Sequence, residues 1–202
     1  LLVGSEGTLA FIAEAVFRTV HISSLTTTTV AVFNNLSAAT TALPSLVETG
    51  AATLELMDSA SIRVGQGFDK VPQAITGFDV DSQAALLIEY QSDDKEELRE
   101  KENKGSSLLR ELDLQSPAEF SADIPTRTAA WNFRKGLYAQ VAEARPSGTA
   151  ALLEDVVVPV GDLADTCSSL QELFIRYSYD DAVIFGHAKD GNIHFLLTDR
   201  FE

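Results

Sequence analysis

The sequence predicts an α+β fold, ferredoxin-like, in which an antiparallel sheet built from repeated βαβ-type units carries helices on one face. Segments with strand character alternate with segments of helical periodicity along most of the chain. None of these strands is followed by the glycine-rich phosphate-binding turn of a doubly wound parallel sheet. The chain closes with two apolar segments joined by Asp190-Gly191, a pair typical of hairpins, so an antiparallel sheet is the better prediction.

The beginning of the chain predicts a loop followed by two strands. The glycines and hydroxyl residues of 4–8 are typical of a turn with positive φ angles and local side-chain hydrogen bonds. Residues 10–20 alternate in polarity, with Phe11 and Phe17 on one face, which predicts a half-buried strand. Residues 26–33 are rich in β-branched side chains and predict a second strand.

The rest of the chain divides into five helices and further strands. Apolar residues at helical spacing mark the helices, and Asp58 and Asp94 mark where two of them begin. The predicted helices cover residues 36–47, 59–64, 95–112, 125–143 and 161–177. The predicted strands cover residues 52–57, 84–90, 152–158, 182–187 and 192–197, with a short one ending near Phe120.

Composition limits the functions that the chain can have. Its 202 residues, 45% of them hydrophobic, are enough for a sizeable core without disulfides. The formal net charge of -15 repels nucleic acid, so we expect no nucleic-acid partner. Cys167 lies alone in a helical pattern and is expected to be a buried thiol in a reducing compartment. No apolar run approaches the roughly 20 residues that cross a bilayer. We therefore expect a cytoplasmic protein, with the inner-membrane surface as the alternative for a longer form.

The most informative segment is 185–195, which contains two of the three histidines. A two-residue type I′ turn at Asp190-Gly191 would place His187 directly opposite His194, with Cβ atoms about 5 Å apart on one face. Two imidazoles so placed can bind one Zn²⁺ or a similar divalent cation. Asn192 falls on the same face, where its amide can donate to an oxygen of a ligand.

Other interpretations of this segment stay open. The two histidines are alternatively an ordinary cross-strand pair without a ligand. The chain would then be a non-catalytic α+β ligand-binding or dimerisation module, which its acidic charge suits equally well. A metallohydrolase built on the pair would need further ligands, and His21 is remote from the pair in the pattern.

Residues 186–194 read Gly-His-Ala-Lys-Asp-Gly-Asn-Ile-His. This run is similar to the Gly-His-x-x-Asp-Gly-Asn-x-His motif of the FAD-linked oxidases related to D-lactate, glycolate and D-2-hydroxyglutarate dehydrogenases. The resemblance implies that His187 and His194 bind a divalent metal, usually zinc, and that Asn192 faces the substrate. In that family the third metal ligand and the candidate catalytic base belong to a Glu-His-Gly segment, which we expect beyond residue 202. Lys189 stands where the commonest form of the motif has glycine.

The start of the chain resembles the same family. Residues 4–14 are similar to its Gly-Ser/Thr-Glu-Gly-Thr-Leu-Gly-Ile-Ile-Thr-Glu stretch, a loop that leaves the flavin domain. The resemblance implies that Gly4, Ser5 and Gly7 bind the cofactor FAD. Ala10 replaces a glycine of that stretch, so its own contact with the flavin is not carried over.

A third segment concerns the substrate. Arg127, Trp131, Arg134 and Tyr138 follow at helical spacing and predict one stripe along a helix. An arginine stacked beside a tryptophan offers a fixed fork for a substrate carboxylate, and the alternative is a surface arginine that shields the aromatic ring. The family places the arginine of a Trp-x-x-Arg segment in its substrate pocket, which implies that Arg134 binds substrate. A lysine that some relatives use nearby has no match here, because Leu153 occupies its position.

Over the whole chain, the resemblance implies oxidation of a D-2-hydroxy acid to the 2-oxo acid by hydride transfer to flavin, assisted by a divalent metal. Residues 1–22 are expected to be the tail end of the FAD-binding domain and a linker strand. Residues 23–202 are expected to be the substrate-covering cap domain, truncated at its C-terminus. The expected partners are a small-molecule 2-hydroxy acid, the missing FAD-binding domain and an electron acceptor such as an iron–sulfur domain, with a homo-oligomer as a further option. The chain by itself is expected to be inactive.

Overall fold

A computed structural model describes residues 2, 4, 5, 7–68 and 71–200, which include six strands and five α-helices. The strands are β1 (Leu25–Phe33), β2 (Thr53–Met57), β3 (Ala84–Ser92), β4 (Thr149–Val157), β5 (Val183–His187) and β6 (Asn192–Arg200). The helices are α1 (Leu36–Glu48), α2 (Ser59–Gly65), α3 (Lys95–Glu111), α4 (Ile124–Ala144) and α5 (Leu163–Arg176). All five predicted helices are confirmed, as are the predicted strands that correspond to β1 through β6. The short strand near Phe120 is reduced to a single bridge between Thr28 and Ser121.

Side-chain caps explain where most of the helices begin. Asn35, Asp58, Asp94 and Asp123 each accept a hydrogen bond from a backbone N–H in the first turn of the helix that follows. Such a cap satisfies a donor that the helix itself leaves without a partner. Across the portion of the chain that the structure describes, no helix is both long and apolar enough to pass through a bilayer.

The sheet consists of two similar halves. Its strand order is β1-β3-β2-β5-β6-β4, and every neighbouring pair is antiparallel. In the first half, β1 and β2 run parallel to each other, are connected through α1, and hold β3 between them. In the second half, β4 and β5 are connected through α5 and hold β6 between them. The predicted antiparallel sheet of repeated βαβ-type units is therefore confirmed.

Helices cover both faces of this sheet, whereas the sequence predicted them on one face only. Leu43 of α1, Leu109 of α3 and Leu163 of α5 belong to one core cluster, together with strand residues such as Phe33. The opposite face is covered by α2 and α4, whose apolar residues pack against alternate strand residues. The strands are apolar on both faces, and burying such strands requires a helix layer on each side.

The strand predicted over residues 10–20 is wrong. The structure assigns no strand between residues 8 and 23, and the side chains there are exposed, with Phe11 at 91% and Phe17 at 84%. Alternation of polarity stabilises a strand only when a neighbouring strand pairs with it and its apolar face is buried. Neither condition is met within the described residues.

Candidate functional site

The hairpin of β5 and β6 brings the two histidines together, although not in the predicted register. The structure pairs Phe185 with His194, whereas the prediction paired His187 with His194. The predicted type I′ turn is wrong because it requires positive φ at both central residues, and only Gly191 has it, at 73°. A 3₁₀ turn over Ala188–Asp190 precedes Gly191 instead. The register differs from the prediction by two residues, and a shift of two keeps both imidazoles on the same face of the sheet.

The two imidazoles are neighbours within the site. Their ring centroids lie 5.1 Å apart, with the planes at 90°. His187 Nδ1 lies 2.8 Å from Glu55 Oε1, and because a carboxylate only accepts, this nitrogen donates; in the neutral imidazole Nε2 then carries the lone pair. His194 Nδ1 lies 3.1 Å from Asp155 Oδ1. Each imidazole thus has a carboxylate at its Nδ1 side.

His194 is the more enclosed of the two histidines. Its side chain is 19% exposed, against 54% for His187. Burial lowers the pKa of His194, as do the nearby charges of His187 and Arg134, while Asp155 opposes them. The environment therefore favours the neutral imidazole, which is the form that binds metals.

Arg134 lies in α4, which covers the face of the sheet that carries this pair, and is 8% exposed. Its Nη2 is 2.9 Å from Glu55 Oε2, and its guanidinium lies 5.0 Å from the centre of the Phe185 ring. The approach to Glu55 has the distance but not the angles of a hydrogen bond, and Arg134 Nε has no hydrogen-bond partner among the residues that the structure describes. Burial lowers the pKa of Arg134, and the charge of Glu55 opposes that shift. The positive charge of Arg134 is thus balanced by Glu55, and its guanidinium retains N–H donors for a ligand.

Asn192 completes the hairpin side of the site. Its amide Nδ2 donates to Asp155 Oδ1 over 2.6 Å, the same carboxylate oxygen that faces His194. Asp155 is paired with His194 in the register of β4 and β6. The predicted residues His187, His194, Asn192 and Arg134 therefore lie in one connected group of contacts.

Most of these side chains belong to a row of polar residues that crosses the sheet on the face covered by α2 and α4. We call it the polar row, and it consists of Thr28, Glu89, Glu55, His187, His194 and Asp155, one from each strand in spatial order. The face is apolar further along, since Leu87 and Leu196 occupy the same side of β3 and β6. A row of this kind costs desolvation energy unless its members are paired.

The other end of the polar row is a second buried carboxylate. Glu89 is 3% exposed and accepts hydrogen bonds from Thr28 Oγ1 and from Trp131 Nε1, each over 2.8 Å, while Arg127 Nη2 lies 3.5 Å away. The predicted stripe on α4 therefore divides between two carboxylates. The predicted stacking of an arginine beside Trp131 is wrong, because the cation over that ring is Lys135, at 5.4 Å.

Glu55 and Asp155 belong to the site but were not predicted from the sequence. Glu55 stands inside the otherwise apolar strand Thr53–Met57, and a carboxylate at such a position requires a partner. That signal was available, but it does not identify the partner. Asp155 becomes relevant only through the pairing of β4 with β6, which is set by the tertiary fold.

The donor set fits part of a metal site. Histidines that bind metals usually donate their other ring nitrogen to a carboxylate or carbonyl oxygen, and both imidazoles have a carboxylate at Nδ1. Two imidazoles are fewer than the three protein ligands of a catalytic zinc site. Within the described ranges, no group of three or more His, Cys, Asp or Glu side chains is arranged to hold a metal ion. His21 does not supply the missing ligand, since its Nε2 contacts Asp93 at 2.6 Å.

The residues predicted to bind FAD lie in two successive turns at the start of the chain. Gly4 and Gly7 have φ angles of 83° and 77°, as the loop prediction required. The hydroxyls of Ser5 and Thr8 donate to the carbonyl oxygens of Leu2 and Ser5 respectively. These residues are largely exposed and are separate from the polar row. Glu6 of the same motif lies outside the described residues.

Comparison with known proteins gives a consistent result. A family described as FAD linked oxidases, C-terminal domain, matches residues 22–202. The glycolate oxidase subunit GlcD of Bacillus subtilis is 28% identical over 98% of this chain and 40% of its own length. The D-2-hydroxyglutarate dehydrogenase of Haemophilus influenzae is 25% identical over 96% of this chain and 20% of its own length. The probable mitochondrial D-lactate dehydrogenase of Danio rerio is 25% identical over 98% and 38%. The chain thus spans two fifths or less of these relatives.

A solved structure of alkyldihydroxyacetonephosphate synthase has the same fold. It superposes with a TM-score of 0.65 over 89% of this chain and 36% of that chain. Its sequence is 10% identical, so the likeness concerns the fold alone.

Proposed function

This chain belongs to the FAD linked oxidases, as their C-terminal domain, and we propose that it forms the substrate side of an enzyme that oxidises a D-2-hydroxy acid. The reaction converts the hydroxy acid to the 2-oxo acid. In that reaction FAD, when bound, would accept a hydride from C2, and the hydroxyl proton would pass to a base. Relatives named as glycolate oxidase, D-lactate dehydrogenase and D-2-hydroxyglutarate dehydrogenase support this substrate class.

The observation that carries the proposal is the meeting of two imidazoles, an amide and a buried arginine at one end of the polar row. A 2-hydroxy acid presents a carboxylate and a neighbouring hydroxyl. In the proposal, Arg134 binds the carboxylate through its remaining donors, and Asn192 orients the hydroxy acid. His187 and His194 would hold a divalent metal, preferably zinc, through the nitrogens that face away from the carboxylates.

The cofactors would supply what these side chains cannot. When bound, FAD supplies the redox chemistry and the metal ion a positive charge beside the substrate hydroxyl. Gly4, Ser5 and Gly7 are proposed to contact FAD at the boundary with a flavin-binding domain. We propose residues 1–22 as the end of that domain and a linker, and 23–202 as the cap. The iron–sulfur electron acceptor, the homo-oligomer and the inactivity of the chain by itself stay predictions.

A comparison of two histidines tests the proposed activity. We expect the full-length protein to reduce FAD with D-lactate or a related D-2-hydroxy acid, and to discriminate against the L enantiomer. His187→Ala should lower kcat/KM by about 100-fold or more, because one of the metal-binding groups is lost. His21→Ala is the matched control, since His21 contacts Asp93 rather than the polar row, and it should retain the activity.

The arginines provide a second comparison. Arg134→Met should raise KM for the hydroxy acid by about 10-fold or more, because a charged hydrogen bond to the carboxylate is lost. Arg127→Met is the control, because Arg127 also lies beside a buried glutamate but at the other end of the row. Equal effects of the two substitutions would contradict the assignment of Arg134.

The acidic charge and the α+β fold also suit a non-catalytic ligand-binding or dimerisation module. Calorimetric titration with zinc separates this alternative from the enzyme. The wild type should bind zinc and His187→Ala should bind it much more weakly. Equal binding by the two proteins, together with no oxidation of any hydroxy acid, would favour the module.

A further inference from the structure

One buried carboxylate contacts both a histidine and the arginine of the predicted site. Glu55 is 4% exposed and stands in β2, directly opposite His187 in β5. Its Oε1 accepts the hydrogen bond of His187 Nδ1 over 2.8 Å, and its Oε2 lies 2.9 Å from Arg134 Nη2. A single side chain therefore contacts a proposed metal-binding group and the proposed carboxylate-binding group.

The contacts of Glu55 fix what each partner can do. By accepting from Nδ1, the carboxylate keeps the hydrogen of His187 on that nitrogen and leaves the lone pair on Nε2. Its negative charge balances that of Arg134 and so allows the guanidinium to remain charged at a buried position, where an isolated charge would be costly. Arg134 Nε has no hydrogen-bond partner among the described side and main chains, so Glu55 orients the arginine without occupying all of its donors.

We infer that Glu55 is the positioning residue of this site, which sets the orientation of His187 for metal binding and moderates the positive charge that Arg134 offers to a substrate carboxylate. The inference rests on the proposed function. Glu55 then affects two affinities in opposite directions, that of the histidines for a metal ion and that of Arg134 for a substrate carboxylate. A carboxylate at this place helps the imidazole bind a cation, and its negative charge opposes an incoming anion beside Arg134.

Glu55→Gln separates the two effects. Glutamine has an oxygen on only one side of its amide and is uncharged, so it cannot present an oxygen to His187 and to Arg134 at once as Glu55 does. We expect zinc to bind about 10- to 100-fold more weakly, as is usual when an outer carboxylate of a metal-bound histidine is lost. Pyruvate, a 2-oxo acid that cannot be oxidised in this reaction, should bind at least as tightly as to the wild type. Both affinities are measured by calorimetry on the metal-free, full-length protein.

Glu89→Gln is the matched control. Glu89 is a second buried glutamate on the same face, with an arginine beside it, but it contacts neither His187 nor Arg134. It should leave zinc affinity within about 2-fold of the wild type, the scale on which a distant, independent site has little effect. Glu55→Asp, whose shorter side chain retains the charge, should recover part of the zinc affinity that Glu55→Gln loses. Such a recovery would show that a substitution at this position still allows the protein to fold.

Each result bears on the inference. The inference is overturned if Glu55→Gln binds zinc as tightly as Glu89→Gln does. It is also overturned if Glu55→Gln binds neither zinc nor pyruvate, because that would indicate a role in folding alone. The proposed function would stand, without this inference, if the wild type binds zinc and oxidises hydroxy acids but Glu55→Gln and Glu89→Gln have the same zinc affinity. A wild type that binds no zinc overturns the metal part of the proposed function and this inference with it.

Discussion

Asp58 shows how one buried side chain can serve two elements. Its carboxylate accepts from the backbone N–H of Ser61, which caps α2, and from the N–H of Ile184 in β5, both over 2.8 Å. Burial raises its pKa to about 6, although these hydrogen bonds and the charge of Arg63 act in the opposite direction. Since Ile184 lies in the strand that ends at His187, Asp58 connects the start of α2 to the strand that carries the site.

The raised pKa of Asp58 predicts a pH-dependent contribution to stability. The folded-state pKa of about 6 lies above the ordinary aspartate value of 3.8, so the folded protein binds this proton more tightly. The contribution is therefore fully present below the unfolded pKa and is lost as the pH rises through about 6. Relative to Asp58→Asn, the wild type should gain about 1 kcal/mol in free energy of unfolding between about pH 7.5 and about pH 5. Urea unfolding of both proteins at the two pH values measures the difference, and a constant difference would contradict the prediction.

At the scale of elements, the site depends on how closely the closing hairpin approaches the segment after β4. A Cβ atom on Gly191 would lie 1.8 Å from the carbonyl oxygen of Val158, and Gly191 O accepts from Val158 N–H over 3.0 Å. A Cβ atom on Gly186 would lie 2.6 Å from Ile193 Cα in the paired strand. Gly186 directly precedes His187 and Gly191 ends the turn that follows it, so the position of the imidazole depends on two places where only hydrogen fits.

Two glycines with similar backbone angles provide a test of this close approach. Gly191 has φ 73° and Gly77 has φ 85°, but a Cβ at Gly77 meets no atom within 4 Å. Gly77→Ala should cost about 1 kcal/mol for the left-handed backbone alone. Gly191→Ala carries the same cost plus a steric clash, so it should be destabilised by a further 1–3 kcal/mol or so. Chemical denaturation measures both, and equal losses would show that the turn has room for a side chain.

At the scale of the whole molecule, the chain consists of a packed part and an exposed leading segment, residues 7–22. The sheet and its helices occupy residues 25–200, and the core clusters lie entirely within them. The leading segment exposes several apolar side chains, among them Phe11, Val16 and Phe17, each more than four fifths exposed. Apolar surface of this kind is typical of a place where another protein surface packs.

Substitution of this segment should change association but not folding. Because Phe11 and Phe17 bury little surface here, the double substitution Phe11→Ser, Phe17→Ser should change the free energy of unfolding by less than about 0.5 kcal/mol. It should also reduce self-association at high concentration, as light scattering would detect. Phe133→Ser, on the buried face of α4, is the contrasting variant and should cost about 3 kcal/mol or more. A large loss of stability in the double variant would show that the segment packs on the folded part.

The sequence by itself determined the helices, most of the strands and the histidine motif. Caps such as Asp94 and short-range periodicity act within a few residues, so they are legible without knowledge of the fold. The face of His187 and His194 was also determined, because strand side chains alternate with period two and the register error was two residues.

Only the tertiary structure decided which carboxylates meet these imidazoles and that α4 lies over the polar row. Glu55 reaches His187 from 132 positions away in sequence, and Asp155 meets His194 through strand pairing, so no local pattern connects them. The failed strand at residues 10–20 has the same cause, since alternation describes a surface that a strand can bury, and pairing with a neighbour decides whether it does. Local sequence determines what a segment can form, and long-range packing determines which of those possibilities is stabilised.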